Sequence, residues 1–112
     1  MDTMLKEPVA ALFCHVIKTD DKDLEKERPL FCRLMKQDFD CDYEEANTLL
    51  DDTMEKDFNI DTQISIISNA LSNKTYQKMS ILKQLNYIII KDNLNEENYE
   101  IFEKLKKAFA LN

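Results

Sequence analysis

Acidic side chains are concentrated in one short segment near the start of the chain, where they could bind a cation. Asp20, Asp21, Asp23, Glu25 and Glu27 place five carboxylates within eight residues. Clusters of carboxylate oxygens of this kind bind hard cations such as calcium and magnesium. The spacing is not that of an EF-hand, because the position that should hold the bidentate glutamate is Phe or Cys and the chain contains no glycine.

A second acidic segment near the other end of the chain repeats the first at an ungapped offset of 71 residues. The matching pairs are Asp21 with Asp92, Glu25 with Glu96, and Phe31 with Phe102. Two helical hairpins related by pseudo-twofold symmetry would bring the two acidic turns together, so that they share ligands. We therefore predict a site that binds calcium or magnesium weakly; its candidate ligands are Asp20, Asp21, Asp23, Glu27, Asp92 and Glu96.

Turn chemistry offers a simpler explanation of the same two segments. Asp and Asn favour turns and helix N-caps, and Glu favours the first turn of a helix. Those preferences alone would produce both acidic segments without any bound ion. The alternative function is therefore a metal-free acidic protein-interaction scaffold, whose partner presents a basic or helical surface.

No residues are arranged in the sequence as the parts of an enzyme active site. His15 is the only histidine, and no Cys-x-x-Cys or His-x-x-x-His spacing relates it to Cys14, Cys32 or Cys41 in a zinc site. No nucleophile motif is present, and the absence of glycine excludes a glycine-rich phosphate loop. We expect a non-enzymatic protein without catalytic or cofactor-binding residues.

Apolar residues recur at helical spacing through most of the chain and predict an all-α fold. The expected architecture is a compact bundle of about six helices, built from two pseudo-repeated helical hairpins around a central helix pair, in one domain over residues 1–112. The first helix is predicted from about Pro8 to Lys18. Tyr87–Ile90 is the one stretch where a strand competes, but no second strand exists to pair with it.

The helix ends and breaks are predicted from individual residues. Pro29 should kink the second helix or move its start toward Arg28. In the fifth helix, Met79 falls on the predicted buried face together with the leucines that follow it. The predicted N-caps are Asp23 for the second helix, Asp61 for the fourth and Asn95 for the last.

Charge and cysteine usage limit the class of protein. Fifteen basic against twenty-two acidic residues give a net charge of −7, which argues against binding of duplex nucleic acid or anionic membranes. No uncharged apolar run, whether Val9–Cys14 or Tyr87–Ile90, is long enough to span a bilayer, so no membrane insertion is expected. An odd number of cysteines and the absence of a signal-peptide pattern predict a cytoplasmic protein. The oligomeric state stays open.

The layout of the chain resembles the tellurite-resistance TerB family and the similar N-terminal domain of a membrane-anchored DnaJ-type co-chaperone. The segments that carry the resemblance are residues 16–27 and 82–97, and it extends from about Val9 to Leu111. In the family each turn usually reads Asp-Gly. If Asp20 and Asp92 are the matching aspartates, Asp21 and Asn93 stand in the glycine places; if the 71-residue offset is followed strictly, the first pair is Asp21 and Lys22 instead. The resemblance implies an all-helical, non-enzymatic domain that binds divalent metal through its acidic turns, in stress-response or membrane-associated complexes.

Overall fold

The structure of the chain is a computed structural model that describes residues 1–19, 23–90 and 96–110, with the side chains at 90 and 96–98 left out. Six α-helices follow a short 3₁₀ turn, and the described residues contain no strand. The all-α prediction is therefore confirmed. The elements are the 3₁₀ turn Thr3–Leu5, α1 (Lys6–Thr19), α2 (Leu24–Phe39), α3 (Tyr43–Met54), α4 (Ile60–Ala70), α5 (Thr75–Ile90) and α6 (Glu96–Ala108).

Helix α1 is the hub of the bundle, because it packs against each of the other five helices. Its predicted apolar stripe is buried, and so are Ala10, Ala11 and Cys14 on its other faces. Alanine and cysteine are small enough to let neighbouring helices approach α1 closely from several sides. The result is a single core with a radius of gyration of 12.9 Å, which is typical of a domain of this length.

Helix α2 begins where its cap residue predicts and runs through its proline. Asp23 Oδ1 accepts a hydrogen bond from the backbone N–H of Glu25 at 3.0 Å, which confirms the predicted N-cap. The expectation that Pro29 moves the helix start toward Arg28 is wrong, because Leu24 already begins the helix. Pro29 cannot donate a backbone hydrogen bond within the helix. Burial of Phe31, Leu34 and Met35 in the core offsets the free energy lost with that bond.

Two other sequence-based assignments concern α4 and α5. The fourth helix is capped by Asn59, whose Oδ1 accepts from the N–H of Thr62 at 3.1 Å, and not by Asp61. Asp61 lies in the first turn and forms an ion pair with Lys104 of α6 at 2.8 Å. Tyr87–Ile90 is the last turn of α5, so the helical prediction for this stretch is confirmed.

A chain without glycine must make its tight helix ends with other residues. Asp40, after α2, has a left-handed backbone with φ of 56°. Its N–H donates to the carbonyl of Lys36 at 3.0 Å, and the N–H of Cys41 donates to the carbonyl of Met35 at 3.3 Å. This pair of bonds closes the helix as a glycine C-cap would, and aspartate tolerates the conformation better than most residues.

Candidate functional site

The six predicted cation ligands are only partly within the described residues. Asp20, Asp21 and Asp92 lie outside them, and Glu96 begins α6 but its side chain is not described. The convergence of the two acidic turns therefore stays a prediction, as does the cap at Asn95. The two ligands that are described, Asp23 and Glu27, lie in different environments.

Asp23 is exposed and serves α2 as its N-cap, whereas Glu27, one turn later, is fully buried. Among the described residues, no three His, Cys, Asp or Glu side chains are arranged to hold a metal ion. A cation site that includes Glu27 would need further ligands, from residues 20–22 or 91–95.

The other acid of the first segment, Glu25, belongs to a polar cluster that joins α2 to α3. The guanidinium of Arg28 donates to both carboxylate oxygens of Glu25 at 3.1 Å, to Asn47 Oδ1 at 3.0 Å and to Asp51 Oδ1 at 2.8 Å. Hydrogen bonds to Glu25 and Asp51 raise the pKa of Arg28 above its ordinary value. Asp51 and Asn47 thus join α3 to α2 through Arg28, while Glu25 holds the guanidinium from within α2.

The three cysteines are buried, and none of them forms a disulfide. Burial raises the pKa of the Cys14 thiol to about 12, and it also raises the pKa of Cys32. Because the thiolate is the nucleophile and the metal ligand, these thiols are held in their unreactive form at neutral pH. His15 is half-buried on α1. The geometry of these groups is that of core packing.

A groove with a volume of about 530 Å³ lies between α2 and α5. We call it the α2–α5 groove. Such a volume lies within the range of ligand and peptide sites, and apolar surface dominates the lining. The lining residues are Leu30, Arg33, Leu34 and Gln37 of α2, and Tyr76, Met79, Ser80, Lys83, Gln84 and Tyr87 of α5.

Three large side chains of α5 on this groove are open to solvent. Tyr76 is 86% exposed, Met79 is 53% exposed and Tyr87 is 51% exposed. Large apolar side chains that share one concave surface, rather than being scattered singly, are a mark of an interaction site. The expectation that Met79 packs in the core is wrong, because the core face of α5 is formed by Ile81, Leu85, Ile88 and their neighbours.

The charge of the α2–α5 groove is opposite to that of the protein as a whole. Arg33 and Lys83 are exposed in its lining, and no aspartate or glutamate lines it. No described acidic side chain forms an ion pair with either of them. Asp38 accepts a 3.5 Å hydrogen bond from Gln84 of the lining without lining the groove itself, and burial raises its pKa.

A smaller cleft continues the α2–α5 groove toward the start of α2. It shares Leu30, Arg33 and Tyr87 with the groove and adds Lys26 and Pro29. The combined surface therefore carries three cationic side chains along an apolar floor, on a protein with a net charge of −7.

The sequence of α5 contains a second periodic pattern, separate from its core residues, that marks this surface. Tyr76, Met79, Lys83 and Tyr87 follow one another at intervals of three and four residues, so they share one face of α5. Their large side chains give α5 a second, non-core stripe of its own. The prediction that Met79 lies on the buried face of the fifth helix missed this second stripe.

The chain matches no protein-family model, no curated protein and no solved structure. Among the residues that the structure describes, no helix has the length and apolar content needed to cross a membrane. Function is therefore argued from the geometry of the chain itself.

Proposed function

We propose that the chain is a non-enzymatic helical interaction module that binds a segment of a partner protein in the α2–α5 groove. The observation that carries this function is the exposure of Tyr76, Met79 and Tyr87 together in one concave, apolar surface. Aromatic residues and methionine are enriched at protein interfaces, because they bury much surface on binding. Arginine, present here as Arg33, is enriched there too.

The two walls of the groove, α2 and α5, are fixed by contacts on their core sides, which favours a preformed binding surface. On α2, Phe31 and Leu34 are buried in the core, and the Arg28 cluster ties the helix to α3. On α5, Leu85 and Ile88 are fully buried. A partner would therefore meet a surface that needs little ordering, and less of the interaction free energy is lost on binding.

A displayed library of random peptides, selected against the native protein, tests this function. Binders are expected to lose affinity by about tenfold or more when Met79 and Tyr87 are both replaced by alanine, because anchor side chains dominate peptide binding. Met4→Ala with Ile66→Ala is the matched control, since both are exposed large apolar residues that line neither the groove nor the clefts that share residues with it. Binders that tolerate the groove substitutions, or lose equal affinity with the control, would contradict the proposal.

The TerB-like resemblance supports a second candidate function, weak binding of a divalent cation at the acidic turns. It rests on the run of carboxylates over residues 20–27, whose oxygens are of the type that hard cations prefer. Thermal melts with calcium, magnesium, manganese and zinc, each reversed by chelator, test it. A shift with one ion that disappears in Asp21→Asn with Asp92→Asn supports the site, and no shift with any ion rejects it.

A further inference from the structure

Resting on the proposed function, we infer that the occupant of the α2–α5 groove is an amphipathic helix whose apolar face is flanked by acidic residues. The inference combines two features of the groove, the shape of its walls and the sign of its charge. Each of these restricts the partner independently.

The shape of the groove favours a helix over an extended peptide. Both walls are helices, and the described residues include no strand whose edge an extended peptide could join. An extended segment would find no strand edge to pair with, and its backbone N–H and C=O groups would depend on a few lining side chains such as Gln37 and Ser80. A helix satisfies its own backbone groups and presents side chains at i, i+3, i+4 and i+7 to such a surface.

The length of the groove sets the length of that helix. Tyr76 and Tyr87 are eleven residues apart on α5, which corresponds to about 16 Å, or three helical turns. On the opposite wall, Lys26 and Gln37 are also eleven residues apart. A partner helix of about three to four turns would contact both walls along their whole length.

The charge of the groove favours acidic flanks on that helix. Arg33 lies on one wall and Lys83 on the other, so a helix between them would place its two flanks beside a cation on each side. With no acidic residue in the lining, basic flanks would meet like charge on both walls. Complementary charges of this kind steer association and exclude partners of the wrong sign.

Fluorescence anisotropy with designed peptides tests the inference. The probes are two labelled amphipathic helices of about four turns with identical apolar faces, one with glutamate flanks and one with lysine flanks. The glutamate peptide should bind more tightly. Replacing Arg33 and Lys83 by glutamate should weaken its binding about tenfold and favour the lysine peptide, because two attractive charge pairs become repulsive.

Lys74→Glu with Lys107→Glu is the matched control, since it makes the same change of net charge at exposed lysines outside the groove. This control should leave the preference for the glutamate peptide intact. Equal binding of the two peptides, or an equal effect of the control, would overturn the acidic-helix inference. Binding that still requires Met79 and Tyr87 in that case would leave the proposed docking function standing.

Two further results would be decisive. If neither peptide binds and library selection yields no groove-dependent binder, the acidic-helix inference and the proposed function both fail. If sedimentation shows that the chain self-associates, and Met79→Ala with Tyr87→Ala abolishes the association, the occupant is a second copy and the inference is wrong.

Discussion

Lys78 offers the sharpest test of how the C-terminal half of the bundle is held together. Its side chain is only 8% exposed, and its Nζ donates to the carbonyl of Ser72 at 3.1 Å and to the carbonyl of Phe109 at 3.2 Å. Ser72 follows the end of α4, and Phe109 follows the end of α6. One ammonium group therefore lies at the negative ends of two helix dipoles, 6.0 Å from the centre of the Phe109 ring.

Lys78→Met keeps most of the aliphatic length of the side chain and removes its ammonium group. Hydrogen bonds to charged groups contribute about 1.5–3 kcal/mol each, and each helix end adds about 0.3–1 kcal/mol. Methionine does not carry the free-energy cost of burying an ammonium group, and this offsets part of the lost stabilisation. We therefore expect the free energy of unfolding to fall by about 2–4 kcal/mol. For a chain of this length that corresponds to about 8–16 °C in melting temperature.

Urea unfolding monitored by circular dichroism measures the loss of stability, and hydrogen exchange locates it. The last turn of α6 should lose protection first, because the carbonyl of Phe109 no longer has its donor. Lys83→Met is the matched control, an exposed lysine on the same helix, and should change the stability by less than about 0.5 kcal/mol. Equal losses for the two variants would refute this account of Lys78.

Three further predictions follow from other described residues. Burial raises the pKa of Asp38, so the charged carboxylate lowers the stability of the folded protein above that pKa. Asp38→Asn should therefore raise the melting temperature at pH 7, and the gain should vanish below about pH 4, where the carboxyl is protonated in the unfolded chain as well. A gain that does not depend on pH would contradict this. Cys14, Cys32 and Cys41 should react with a disulfide reagent at pH 8 only after unfolding, because burial keeps them from solvent; rapid reaction of the native protein would show that the core opens. Ala110→Gly should stabilise the protein by about 0.5–1 kcal/mol in urea unfolding, since Ala110 has a φ of 56°, whereas Ala108→Gly within α6 should not.

The helices could be predicted from the sequence because burial of an apolar face imposes its own period on the chain. Residues such as Leu85 and Ile88 repeat at that period and are buried. Asp23 was predictable as a cap because its effect is local to the turn that follows. The effect of Pro29 on the start of α2 was predicted wrongly, because core contacts made by the residues after it outweigh the local free-energy cost of a proline within a helix.

The site was harder to predict, because it depends on which apolar face a neighbour leaves open. Met79 and Leu82 look alike in a periodic pattern, and only the packing of α5 against α1 and α6 determines that Leu82 is buried while Met79 stays exposed in the groove. The net charge of −7 also gives no indication of the local charge of the groove, because Arg33 and Lys83 line it from two helices far apart in sequence.

The position of α1 at the hub has a consequence for the synthesis of this protein. Helix α1 is translated before its partners α4, α5 and α6, which follow it by some forty to ninety residues. At about 5–20 residues per second, they are completed several seconds after α1, most of whose residues are buried in the folded protein. Until then α1 lacks part of the surface that buries it, and we expect the yield on expression to depend on chaperones that bind apolar helices.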